Sequence, residues 1–200
     1  MPAISTLFIY CFLMILLLNG CTSRELSPRE YTLYVADEVN GLKKKKLINE
    51  YEFVAQYKPV DFVIAGEYKD QLTYEVYSAR KKELGGGFYF TLSIKHDSQD
   101  LFRVDAESDR EFQQRKYYYS FDFANDIYIE VNSRRLPCSL FHFEGMYDKS
   151  GYKIFHLGFE ETGEPVNSMT LIIDSRVLGL GPVKLNFAKK DLYNIPRIGF

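Results

Sequence analysis

Two histidines and a glutamate could meet across a hairpin in the second half of the chain. If Cys138–Glu144 and Tyr152–Phe159 are strands joined around a loop centred near Lys149, the numbers of facing residues sum to 298 and His142 faces His156. Side chains alternate with period two along a strand. Cys138 and Glu144 therefore share the side of His142, while Phe141, Phe143, Phe155, Leu157 and Phe159 take the other and read as a core face. Two imidazoles with a carboxylate are competent transition-metal ligands. A cross-strand histidine pair facing solvent needs no ligand, however, and no metal or other cofactor is expected.

A second group is acidic. Asp97, Asp100, Asp105, Glu107, Asp109 and Glu111 fall between a strand and a helix, and two of them could act as general acid and base in a small hydrolase. The simpler reading is a polar, solvated loop. A third group is aromatic: Tyr117 and Tyr118 could form a platform for a glycan or another small ligand, although Trp, the best stacking surface, is missing from the chain. Other catalytic signatures are missing too: no Gly-x-Ser-x-Gly elbow, no His-Glu-x-x-His, no paired-cysteine metal spacing and no calcium loop. Gly85-Gly86-Gly87 follows a helical pattern, whereas phosphate loops precede a helix. The expectation is a protein that is not an enzyme.

Near the start, about sixteen uncharged, mostly apolar residues from Ala3 to Leu18 run into Leu18-Asn19-Gly20-Cys21. This stretch resembles a bacterial lipoprotein signal peptide. The resemblance covers residues 1–21 and implies cleavage after Gly20 with a diacylglyceryl group on the Cys21 thiol. An uncleaved helical anchor is the alternative for an apolar run of this length. Thr22 stands where Asp would retain a lipoprotein in the inner membrane, so the resemblance implies the outer membrane, and with only Thr22-Ser23-Arg24-Glu25 and no acidic run after Cys21 a periplasm-facing position is preferred over the cell surface. Leu136-Pro137-Cys138, His142-Phe143-Glu144 and Gly179-Leu180-Gly181-Pro182 resemble, loosely, uncharacterised envelope lipoproteins, and that likeness implies no activity. The expected partners are the membrane, through lipid on Cys21, and another envelope protein.

Removing 20 of the 200 residues would leave 180, enough for one domain or two small ones. All 25 basic and 27 acidic residues stay, for a net charge of -2. That balance gives no electrostatic case for nucleic acid. Of three cysteines, Cys11 leaves with the signal and Cys21 is acylated, so Cys138 has no internal partner. The 16 Tyr and 16 Phe suit pleated, half-buried surfaces.

The expected class is α+β and β-rich. Residues 21–30 read as a lipidated tether, and 31–122 as strands with two short helices. Strands are expected at Tyr31–Val35, Tyr51–Tyr57, Asp61–Ala65 and Phe88–Ile94, and helices over Asp70–Leu84 and, from the Ser108–Glu111 capping box, Asp109–Tyr118. Lys43-Lys44-Lys45-Lys46 reads as a solvated hairpin tip after Asn40-Gly41. Residues 123–200 read as an antiparallel, immunoglobulin-like sandwich of about five strands: Ile127–Val131, Cys138–Phe143, Tyr152–Phe159, Met169–Ile173 and Val183–Phe187.

Overall fold

The computed structural model describes residues 24–144 and 151–200. The expected signal peptide, Cys21 and most of the Asp148–Gly151 turn lie outside them. The chain mixes helix with antiparallel sheet, as its patterning implies. In chain order the elements are β1 (Glu25–Leu26), α1 (Pro28–Ala36), β2 (Lys43–Ile48), β3 (Tyr51–Lys58), α2 (Val60–Tyr68), α3 (Tyr74–Leu84), β4 (Phe88–His96), α4 (Asp109–Tyr117), β5 (Ile127–Val131), β6 (Arg134–Pro137), β7 (Leu140–Glu144), β8 (Lys153–Phe159), β9 (Met169–Ile173), β10 (Val183–Phe187), α5 (Lys189–Tyr193) and β11 (Arg197–Ile198).

A five-stranded sheet runs β2-β3-β4-β8-β7 and a four-stranded sheet β10-β9-β5-β6, while β1 and β11 form a small parallel pair. The five strands expected to make a C-terminal sandwich are divided: β5, β9 and β10 lie in one sheet, whereas β7 and β8 pair onto β4 in the other. The reason is the face pattern of β8. Phe155, Leu157 and Phe159 are apolar and buried, and they continue the buried row Phe88, Phe90 and Leu92 of β4, a pairing that local patterning cannot reveal. Both sheets contribute to one core, in which Phe90 and Phe187 meet at 5.5 Å between ring centroids. A second cluster joins α1, α2 and β11 through Tyr31, Val35, Ile64, Ala65 and Ile198.

Three local expectations are corrected. Residues 25–36 are not a tether running into a strand. Ser27 caps α1 with Pro28 at its first turn, and Glu30 accepts from the Ser27 backbone N–H at 3.0 Å, which closes a capping box. Tyr31 and Val35 are then buried four apart while Leu33, inward in a strand, is 65% exposed. Asp61–Ala65 is helical, part of α2; a short continuous apolar run fits a buried helix as well as a strand. The lysine run is not a hairpin tip. It forms edge strand β2, and the tip is Asn49-Glu50, with Asn49 at φ +52°. Four cations on an edge protect it from pairing with other chains. The sequence also hides β6: Asn132 and Ser133 both take positive φ, as a type I′ hairpin requires, although neither is glycine.

Candidate binding face

The five-stranded sheet turns one set of side chains to the core, and its other face is half-buried, with Gln56 donating to the Val35 carbonyl at 2.9 Å and Tyr89 to the Leu84 carbonyl at 3.0 Å. On β3 and β4, Phe53, Ala55, Phe90, Leu92 and Ile94 are buried, so Glu52, Val54, Gln56, Tyr89, Thr91, Ser93 and Lys95 point the opposite way. Register turns these into cross-strand rows. One row runs Lys43, Gln56, Thr91, His156, His142, and the next runs Lys45, Val54, Ser93, Ile154, Glu144.

The expected hairpin register holds. Leu140 faces Gly158, Phe141 faces Leu157, His142 faces His156 and Phe143 faces Phe155. The imidazoles stack, with centroids 6.0 Å apart and planes 18° from parallel. His156 Nε2 lies 2.9 Å from a Glu144 carboxylate oxygen, which can only accept, so this nitrogen carries the hydrogen. Nδ1 is left beside the Thr91 hydroxyl at 3.4 Å. Glu144 is therefore already engaged, and among the described residues no three of His, Cys, Asp and Glu converge to hold a metal ion. Cys138 lies two residues before the start of β7. Its thiol hydrogen-bonds the Leu140 carbonyl at 3.1 Å, and burial pushes its pKa up to about 11, away from nucleophilic character.

Next to the histidine row the face hollows into a trough of about 400 Å³. Val54, Ser93 and Ile154 are among its lining residues, as are Glu38, Lys43, Lys45, Glu52 and Tyr152. Lys45 meets Glu52 at 2.7 Å and Lys43 meets Glu38 at 3.2 Å. Glu52 also accepts from the Tyr152 hydroxyl. The hydrogen bond from Lys45, then that from Tyr152, lowers the Glu52 pKa, while the carboxylate raises that of Tyr152 to about 12. Lys95 covers the Tyr152 ring at 5.7 Å. The trough thus combines aliphatic Val54 and Ile154 with fixed charges of both signs.

The acids of the Asp97–Glu111 segment are divided among different partners. Asp100 accepts from the Phe102 backbone N–H at 2.8 Å and pairs with buried Lys153 at 2.6 Å. Glu111 accepts from the backbone N–H groups of Glu107 and Ser108, at 2.8 and 2.9 Å, as the partner in the capping box. Those bonds, the Ser108 side chain first, lower its pKa, the opposite of what a general acid needs. Asp105 and Glu111 do line one cleft, of about 490 Å³, with Arg115, Tyr118 and Arg176. Asp97 and Asp109 stay exposed.

The aromatic pair is split. Tyr117 is exposed and stacks at 5.1 Å on exposed Phe121. Tyr118 is half-buried, and its hydroxyl is shared between Asp126 and buried Ser175. Sequence reasoning found the outward faces of β3 and β4 but missed the trough, since nothing local says that β8 brings Ile154 beside Ser93. Comparisons with protein families, with curated proteins and with solved structures return no match for this chain.

Proposed function

We propose that this protein is a lipid-anchored, non-enzymatic binding or assembly module of the bacterial envelope, held at the outer membrane through Cys21 and facing the periplasm. In this reading the two sheets that share a core serve as a sandwich-like scaffold, and the outer face of the five-stranded sheet meets another envelope component. The carrying observation is the trough beside His142 and His156: aliphatic Val54 and Ile154 among fixed Lys43, Lys45 and Glu52 give it shape, charge and apolar contact without a convergent catalytic set. The anchor is supported by the likeness of residues 1–21 to lipoprotein signals, since an acyl tether concentrates a small domain at its working surface.

The test pairs localisation with contact. Labelled palmitate should enter the wild type and not Cys21→Ala. A photo-reactive residue at Ser93 should give one discrete adduct in membranes, lost when Lys45 is changed to Glu; the same probe at Tyr117 should give none. Adducts from Tyr117 but not Ser93 would move the binding surface elsewhere.

A further inference from the structure

Where the chain emerges toward Cys21 is fixed. The Arg197 N–H donates to the Arg24 carbonyl at 3.0 Å and the Gly199 N–H to the Leu26 carbonyl at 2.8 Å, so β1 is tied to β11 from Arg24 onward. Four peptide steps separate Cys21 from Glu25, and an extended chain spans at most about 3.6 Å per residue, or about 14 Å in all. A folded body of this size has a radius of gyration near 16 Å by the usual scaling. A tether that short keeps the exit point of the body within about 14 Å of the lipid to which its end is bonded.

The surface beside this exit is aromatic. Phe200, next to Gly199 at the end of β11, is 58% exposed and packs edge-on against Tyr74, itself 62% exposed, with ring centroids 5.8 Å apart. Tyr77 lies 5.1 Å from Phe200, and Lys81 sits over Tyr77 at 5.0 Å. The charges around the cluster are of both signs: Arg24, Arg197 and Lys81 against Glu25, Glu75 and Asp61, with Lys81 and Asp61 paired at 2.9 Å. Tyr and Phe at the boundary of an apolar phase suit the headgroup layer of a bilayer.

We infer that the face formed by Phe200, Tyr74 and the β1–β11 pair is seated on the membrane to which Cys21 is attached, with the Phe200 ring in the headgroup layer. This rests on acylation of Cys21. It adds a second, weaker contact to the lipid anchor and fixes the orientation of the domain, so that the fold and not the tether alone decides which surfaces face the aqueous side.

The chain has no Trp, so a Phe200→Trp protein carries a single fluorescent reporter at this position, and Phe121→Trp carries one at an exposed position in the other cluster. Each is purified from membranes, its acylation is read by intact mass, and it is placed in phosphatidylcholine vesicles whose acyl chains are brominated near the glycerol. The expected result is blue-shifted emission from Phe200→Trp, quenched at least twofold by the brominated lipid, with Phe121→Trp unquenched and solvent-like. Unquenched Phe200→Trp on acylated protein overturns the seating while leaving the anchor in place. Blue-shifted but unquenched emission means that the protein itself, and not lipid, covers the ring and also overturns the seating, as does equal quenching of both reporters. A mass without acyl groups removes the anchor and this inference together.

Discussion

Truncating Phe155 to Ala should be among the costliest single changes on β8. Its side chain is fully buried and lies at the centre of an aromatic group: Phe123 at 5.0 Å, Phe143 at 5.2 Å, Phe141 at 5.9 Å and Tyr119 at 6.3 Å between centroids. Those neighbours come from β7 and from the segment between α4 and β5, so the hole cannot be closed by moving one element. A Phe to Ala change in such a place costs about 3–5 kcal/mol. At 2–4 °C per kcal/mol for a domain of this length, the melting temperature should fall by roughly 6–20 °C. Phe121, 66% exposed, is the matched control, and its truncation should stay within about 0.5 kcal/mol, or about 2 °C. Thermal melts of the two variants, followed by circular dichroism, make the comparison. Equal shifts, or a larger one for Phe121→Ala, would refute the assignment of β8's inward face and with it the register that sets the histidine row.

Breaking the Lys153–Asp100 pair from one side should hurt more than replacing the buried cation. Asp100→Asn leaves an ammonium at 5% exposure without its anion and should cost about 1–3 kcal/mol in urea unfolding, whereas Lys153→Met should be nearly neutral. In alkali, Tyr152 gives a signed prediction. Its folded pKa is raised above the ordinary value of 10.0 to about 12, so its hydrogen bond to Glu52 stabilises the fold fully below pH 10 and is lost as pH rises toward 12. The stability difference between wild type and Tyr152→Phe should shrink over that window, and a difference that grows would contradict it. Zinc should leave the melting temperature unchanged, because a native-state ligand must raise it and Glu144 is already bonded to His156; a clear rise would reinstate the metal site.

What the sequence discloses here is what depends on neighbours within a few residues. Alternation along Phe88–Ile94 gives β4 and its faces, and Ser108 with Glu111 gives the start of α4. The 298 register was legible because β7 and β8 are consecutive in the chain and both carry an apolar face, so a slip by one residue would turn His142 inward and Phe141 out. The pairing of β8 with β4 joins residues far apart in the chain, from Ile94 with Lys153 to Phe88 with Phe159, and leaves no local trace, which is why the trough and the division of the C-terminal strands were hidden. Ser27-Pro28-Arg29-Glu30 did carry the capping signal of α1, but Tyr31, Leu33 and Val35 also alternate, and only the exposure of Leu33 separates the two periods. Asp100 and Glu111 were visible as acids; that each is consumed by backbone N–H groups depends on loop geometry that composition does not encode.

The central claim, a domain held to the membrane by Cys21, is tested most directly by the intact mass and N-terminal fragmentation of protein extracted from the envelope. The account predicts a chain that begins at Cys21, lacks residues 1–20 and carries a diacylglyceryl group on that cysteine. A chain that retains Met1–Gly20, or one that begins at an unmodified Cys21, would contradict it.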